Sequence, residues 1–160
     1  MTLITDGYRE QQEQMHAEHA EYGVAHRKHV DVIARTLAGN EFKTMIDYGA
    51  GKCGLTRELA KVAHESGLLN GLEITSYDPG IPKLARPPES AQFVVSIDVL
   101  EHVEPECTLD VLKHIQRLTE RLCYLSIALT PAAKTLPDGR NAHINLMTGN
   151  EWLDLLLPLF

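Results

Sequence analysis

Three glycines, Gly49, Gly51 and Gly54, follow a short apolar run in a spacing that could hold a nucleotide cofactor. Glycine lets the backbone turn sharply and lets a ligand approach without a β-carbon in the way. The spacing is that of the Gly-x-Gly-x-x-Gly turn between a strand and a helix. By itself it suits a nicotinamide dinucleotide or S-adenosylmethionine, and it is also compatible with a tight turn that binds nothing.

Two acidic residues lie where such a loop would use them. Asp47, at the tip of the preceding strand, could direct its carboxylate toward the ammonium group of S-adenosylmethionine, directly or through water. The same carboxylate would repel a pyrophosphate. Asp78 follows Gly54 by roughly the 20 residues at which an acid can bind ribose hydroxyls, although Asp78-Pro79 could instead start a turn. The two acids favour S-adenosylmethionine over a nicotinamide dinucleotide.

A Glu-His pair, Glu101-His102, follows a continuous apolar strand. Histidine titrates near neutral pH and can accept a proton from a hydroxyl group. The pair could therefore lie beside a reacting group of the substrate. It is equally compatible with packing or capping at the start of a helix.

The polar loop 130–145 carries His143 together with Arg140 and Asn141. At the carboxyl edge of a sheet this loop could form a substrate pocket, in which Arg140 would bind a carboxylate or phosphate group. The alternative is a surface turn built on Pro137-Asp138-Gly139.

Four further histidines recur at three-residue spacings near the N-terminus: His16, His19, His26 and His29. Two histidines three apart can share a helix face and a metal ion. No cysteine or carboxylate pattern completes a ligand set, so a solvated helix is favoured and no metal site is expected. Cys53, within the glycine loop, is interpreted as a packing residue.

Strands that alternate with helices predict an α/β domain with a mostly parallel sheet. Ligands in such sheets bind beyond the carboxyl ends of the strands. We expect one domain over 1–160, with an N-terminal helical segment 1–40 and a core 41–160. The expected strands are 44–48, 72–77, 93–97 and 122–129, and the expected helices are 25–38, 55–67, 109–118 and one that starts at Thr148.

Composition argues against several classes of function. The net charge of −7 over 160 residues disfavours a nucleic-acid substrate, since such proteins usually carry a basic patch. No apolar run approaches the ~18 residues of a membrane span, and residues 1–21 lack the apolar stretch of a secretory signal. Three unpaired cysteines suggest a reducing, cytoplasmic location.

The motifs Asp47-x-Gly49-x-Gly51, Asp78 and the stretch 96–103, which contains Leu100-Glu101-His102, together resemble the class I (Rossmann-like) S-adenosylmethionine-dependent methyltransferases. The run 136–143, Leu-Pro-Asp-Gly-Arg-Asn-Ala-His, resembles a bacterial and phage subgroup of methyltransferase-domain proteins. The resemblance implies cofactor contacts from Asp47, Gly49, Ala50, Gly51, Asp78, Pro79, Asp98, Val99 and Leu100. It implies acceptor contacts from Glu101, Arg140 and Asn141, with His102 and His143 as candidate catalytic residues. Tyr22-Gly23 resembles a pair that covers the cofactor in relatives.

Two departures from the family pattern stand out. Residues 79–92 are too few for the helix, strand and second helix that usually follow the second strand, so the third strand should be missing or vestigial. Ile81 or Leu84 could contact adenine instead. The chain also ends at Phe160, before the two antiparallel strands that usually close the sheet. We therefore expect a minimal or C-terminally truncated core, with its sheet edge available to a homo-oligomer or a partner.

The predicted function is transfer of a methyl group from S-adenosylmethionine, with S-adenosylhomocysteine as product, to an oxygen or nitrogen of a small-molecule acceptor. Two alternatives stay open. One is a catalytically inactive S-adenosylmethionine-binding subunit or regulatory scaffold, and the other is a nicotinamide-dependent enzyme, against which Asp47 and the Leu-Glu-His triplet argue.

Overall fold

The computed structural model describes residues 1–18, 25–67 and 69–160. Four strands form one parallel sheet in the order β2-β1-β3-β4. The strands are β1 (Thr44–Tyr48), β2 (Glu73–Tyr77), β3 (Ala91–Ile97) and β4 (Thr119–Ser126). The helices are α1 (Asp6–Glu18), α2 (Val30–Gly39), α3 (Gly54–Ser66), α4 (Thr108–Leu118) and α5 (Gly149–Leu156). This confirms the predicted α/β architecture with a parallel sheet.

Alternate residues of the central strands feed two apolar layers, as a period of two requires. Ile46 and Val94 pack on the face that also holds the buried residues of α4 and Trp152 of α5. Met45 and Phe93 pack on the opposite face, against α2 and α3. Phe93 has no exposed surface, and burial of such a side chain contributes about 1.5–3 kcal/mol.

The connection from β2 to β3 contains no strand or helix, which confirms the expected loss of a strand there. Although β2 and β3 follow one another in the sequence, they lie on opposite sides of β1 in the sheet. The carboxyl ends of all three strands meet at one edge. Tyr48 pairs with Tyr77, and Asp47 pairs with both Ser76 and Val95. This edge is where a ligand site is expected.

Three element predictions needed correction. The predicted helix 25–38 is divided into a 3-10 turn, Ala25–Lys28, and α2, with His29 between them bonded to the Tyr124 hydroxyl at 2.7 Å. The last strand is shifted toward the N-terminus, because the ladder with β3 ends at the Ile97–Ser126 pair. Leu109 was placed in the apolar stripe of α4 but is 47% exposed, and Val111 is buried instead.

No described helix is both long enough and apolar enough to cross a membrane.

The start of α5 yields a stability prediction. The Thr148 hydroxyl accepts a hydrogen bond from the Glu151 amide, and the Glu151 carboxylate accepts one from the Thr148 amide, which is a complete capping box. We expect Thr148→Ala to lower the free energy of unfolding by about 1 kcal/mol in urea titrations. Thr130→Ala, at an exposed position outside any helix, is the control. Equal stability of the two variants would contradict the cap.

Candidate active site

A cavity of about 530 Å³ opens at the carboxyl edge of the sheet. Its walls come from the loops that follow all four strands and from the N-terminal segment. The lining residues include Leu3, Ile4, Tyr8, Asp47, Gly49, Ala50, Gly51, Asp78, Pro79, Gly80, Asp98, Val99, His102, Val103, Pro131, Lys134 and His143. Most of the residues predicted from the sequence as cofactor contacts are therefore brought together.

The glycine loop is fastened to the end of β2. The backbone amides of Gly49 and Ala50 both donate to the Tyr77 carbonyl, at 2.8 and 3.0 Å. Gly49 and Gly51 have positive φ angles of 76° and 50°, which side chains disfavour. A β-carbon on Gly49 would collide with the side chain of Val99, and one on Gly54 would collide with the His26 ring. Gly49 therefore combines a positive φ with a close approach of a neighbouring side chain, and a β-carbon on Gly54 would displace the His26 ring.

Asp78 ties this loop to the next one. Its Oδ2 accepts a hydrogen bond from the Gly51 amide and its Oδ1 accepts one from the Gly80 amide, both at 2.9 Å. The carboxylate also lines the cavity. Asp78 and the adjacent Pro79 therefore form a turn and a cavity wall at once, so the two sequence interpretations of Asp78 are compatible.

Asp47 is buried at the tip of β1, with 6% of its surface exposed. Burial raises the pKa of the Asp47 carboxyl group to about 7. The Thr56 hydroxyl, which donates a hydrogen bond to the carboxyl group at 3.3 Å, lowers this pKa, and the nearby Asp78 charge raises it further. No ion pair to Asp47 is formed within the described residues. A buried carboxylate in such surroundings is stabilised by a cation, which a ligand could bring.

The tip of β3 is held by its neighbour β4. Asp98 has a positive φ of 50°, its amide donates to the Ser126 carbonyl, and its Oδ1 accepts from the Ser126 hydroxyl, both at 2.8 Å. Lys28 lies 3.9 Å from Oδ2. Asp98 and Val99 line the cavity, whereas Leu100 is buried in the core and is not among the lining residues.

Glu101, His102 and His143 form a cluster beside the cavity. One ligand-type atom of each lies within 4.8 Å of the others, so the three could hold a metal ion. His102 Nδ1 is 2.8 Å from the Ala142 carbonyl and His143 Nδ1 is 2.6 Å from the Thr130 carbonyl. Glu101 is fully buried and its Oε1 accepts from the Ala128 amide at 3.0 Å. The two histidines line the cavity, and Glu101 is not among its lining residues.

Arg140 and Asn141, expected to contact an acceptor, lie outside the cavity lining. Arg140 is paired with Asp138 at 2.7 Å in the exposed turn. The Asn141 side chain accepts from the amides of Ala132 and His143 and donates to the Ala132 carbonyl, all at 2.9 Å. Asn141 therefore shapes the loop that carries His143. Arg140 lies in a surface turn, as the alternative interpretation of this loop predicted.

The N-terminus supplies the cavity wall next to the β2–β3 connection. Ile81 and Leu84 do not line the cavity, while Leu3, Ile4 and Tyr8 do. Thr5 anchors this segment through its amide and hydroxyl, which donate to Glu104 at 2.8 and 2.7 Å. Sequence reasoning missed these residues, although the seven-residue spacing of buried Tyr8 and Met15 was a signal. Tyr22-Gly23 and His19 lie outside the described residues.

Gly49 offers a test of the loop geometry. We expect Gly49→Ala to destabilise the chain by more than 1 kcal/mol, because it combines positive φ with a collision with Val99. Gly71→Ala is the matched control, since Gly71 has a φ of 74° but no neighbour within 4 Å of an added β-carbon. If urea titration shows equal losses for both variants, the close approach of Val99 has no energetic role.

No family model and no curated protein matches the sequence, but solved structures do. DhpI, in the DhpI-SAM-HEP complex, superposes with a TM-score of 0.55 and 17% identity over 98% of this chain and 90% of that one. Human N-acetylserotonin methyltransferase (ASMT), in complex with SAM (S-adenosylmethionine), superposes with a TM-score of 0.53 and 17% identity over 95% of this chain and 50% of that one. The mitomycin 7-O-methyltransferase MmcR superposes with a TM-score of 0.50 and 16% identity over 92% of this chain and 48% of that one. The chain thus spans about half the length of the latter two proteins. The likeness is one of fold, a small Rossmann-like α/β core similar to that of these methyltransferases.

Proposed function

We propose that the chain binds S-adenosylmethionine in this cavity and transfers its methyl group to an oxygen or nitrogen of a small-molecule acceptor. The observation that carries the proposal is Asp47, a buried carboxylate at the tip of β1 that faces the cavity with no ion pair within the described residues. The ammonium group of S-adenosylmethionine would supply the missing positive charge. Two structural neighbours, DhpI and the human methyltransferase, were solved with that cofactor.

The other contacts proposed for the cofactor follow from the same edge. Gly49, Ala50 and Gly51 leave room for the methionine portion to approach the backbone, because they carry little or no side chain. Asp78 and Pro79, after β2, would lie at the ribose, where the Asp78 carboxylate can accept hydrogen bonds from hydroxyl groups. Asp98 and Val99, after β3, would border the cofactor on the side that faces the acceptor.

At the acceptor end, the cavity combines apolar walls with the two histidines. Leu3, Ile4, Val103 and Pro131 suit an acceptor with an apolar portion. When bound, the cofactor supplies a methyl group on a positively charged sulfur. The cavity walls would hold the acceptor atom beside that methyl group, and the cofactor would leave as S-adenosylhomocysteine with the electron pair of the broken carbon–sulfur bond. His102 and His143 are the proposed groups that assist loss of the acceptor's proton.

A second candidate function is cofactor binding without transfer, as a subunit or regulator. The specific observation in its favour is that the sheet described here has four strands, with Leu122 at its β4 edge 39% exposed. A partner or a second copy of the chain could cover this edge. The expectations of a cytoplasmic location and of the bacterial and phage subgroup stay predictions.

The pKa of Asp47 gives a binding prediction. Below about pH 7 the ligand-free carboxyl group holds a proton, which must leave before it can pair with an ammonium group. We expect the affinity for S-adenosylhomocysteine to rise up to tenfold per pH unit between pH 5 and 7 and to level off above. Calorimetric titration at several pH values measures this.

Asp47→Asn should bind more weakly and lose this component of the pH dependence, while Asp154→Asn, changed at an exposed position of α5, should behave as the wild type. A wild-type affinity that is independent of pH, or an Asp47→Asn variant that binds equally well, would contradict the assignment of Asp47.

Transfer itself is tested at His143. We expect His143→Gln to keep its affinity for S-adenosylhomocysteine and to lose about 100-fold or more in the rate of S-adenosylhomocysteine formation with a panel of hydroxylated and amino acceptors. Tight cofactor binding by the wild type with no turnover on any acceptor would favour the second candidate function. An unaffected rate in the variant would remove His143 from the reacting site.

A further inference from the structure

We propose that Glu101, His102 and His143 form a binding site for a divalent first-row transition metal ion such as Zn²⁺, open toward the cavity. The part of this inference that concerns the acceptor rests on the proposed methyl transfer, whereas the metal site itself stands on the geometry of the three side chains.

The ligand types and their separation fit such an ion. Two imidazole nitrogens and one carboxylate oxygen form a set used by catalytic zinc sites. One ligand atom of each residue lies within 4.8 Å of the others. With bonds of about 2.0–2.2 Å, ligands around a tetrahedral ion lie about 3.3–3.5 Å apart. An approach of about 1.3–1.5 Å from the 4.8 Å limit, made by rotation of the two half-buried histidine side chains, would bring the three atoms to that spacing.

Both rings hold one nitrogen against a backbone carbonyl, as metal-ligating histidines do. Each Nδ1 lies within hydrogen-bond distance of a backbone carbonyl, that of Ala142 for His102 and that of Thr130 for His143. A carbonyl can only accept, so Nδ1 carries the proton and the other nitrogen, Nε2, has the lone pair in the neutral ring. Ligating histidines in proteins nearly always donate their second nitrogen in this way.

The Glu101 carboxylate provides an independent observation. Its Oε1 is occupied by the Ala128 amide, while Oε2 is buried and has no hydrogen-bond partner among the described residues. Glu101 itself has no exposed surface. A buried carboxylate oxygen without a partner is costly, and a cation beside it would remove that cost.

The position of the site indicates its use. The two histidines line the cavity, whereas the buried Glu101 does not, so an ion bound by all three would lie at the cavity wall with its remaining coordination position toward the cavity. Three protein ligands and one open position are typical of a catalytic rather than a structural zinc site. An acceptor hydroxyl held there would lose its proton to solvent more readily. Its oxygen would then form the bond to the methyl carbon as the carbon–sulfur bond breaks, which favours an oxygen acceptor over a nitrogen acceptor.

The test is titration of the chelator-treated full chain with Co²⁺, followed by visible absorption. We expect one equivalent to bind with the intense absorption of a low-symmetry site. His143→Ala and the near-isosteric Glu101→Gln should each weaken binding about tenfold or more and change the spectrum. His64→Ala, at an exposed position of α3, should have no effect. Calorimetry with S-adenosylhomocysteine on every variant shows that the cavity is intact.

The possible outcomes separate the two proposals. A wild-type chain that binds S-adenosylhomocysteine but no Co²⁺ would overturn the metal site and leave the proposed function standing. Binding of Co²⁺ that survives both substitutions would also overturn it, because the ion would then lie elsewhere, for example at the N-terminal histidines. Loss of Co²⁺ binding in both variants, with or without binding of S-adenosylhomocysteine by the wild type, supports the metal site.

Discussion

The paired hydrogen bonds from the Gly49 and Ala50 amides to the Tyr77 carbonyl are the contact on which the site depends. They fold the chain back over the end of β2 as it leaves β1, and so place the start of α3 beside the cavity. Asp78, the next residue after Tyr77, then receives the Gly51 amide. One peptide segment at the end of β2 thus fixes the loop, and the loop fixes where Asp47 and Val99 can lie.

Two buried carboxyl groups at the site make an unfavourable electrostatic contribution to folding. Asp47 and Glu101 are both buried, and burial raises the pKa of each carboxyl group to about 7. Neither forms an ion pair within the described residues. Folding alone gains little from such groups, since apolar side chains would fill the same space at lower cost. Asp47 lines the cavity and Glu101 adjoins two histidines that line it, so ligands that carry positive charge would offset this cost.

Local signals were sufficient for much of the fold and part of the site. Glycine spacing located the turn, and the continuous apolar run 93–97 together with the alternation of strands and helices predicted the parallel sheet. Gly67 marked the end of α3, where it adopts a φ of 67°. Contacts between residues far apart in sequence were not accessible in this way. The proximity of His143 to Glu101 and His102 depends on how loop 130–145 folds back, and the fixed position of Arg140 depends on its pairing with Asp138. Leu100 matched a family motif but packs into the core, because the 3-10 turn Leu100–His102 points it inward.

The N-terminal wall of the cavity has a kinetic consequence. Leu3, Ile4 and Tyr8 enclose the cavity without belonging to the sheet, and the segment is anchored near its start by the bonds from Thr5 to Glu104. A wall attached in this way can separate from the core without disrupting any strand pairing, at a free-energy cost well below that of global unfolding. Exchange of a bound molecule with solvent would then be timed by the opening of α1, so residence time at this site is a property of the first helix as much as of the residues that touch the ligand.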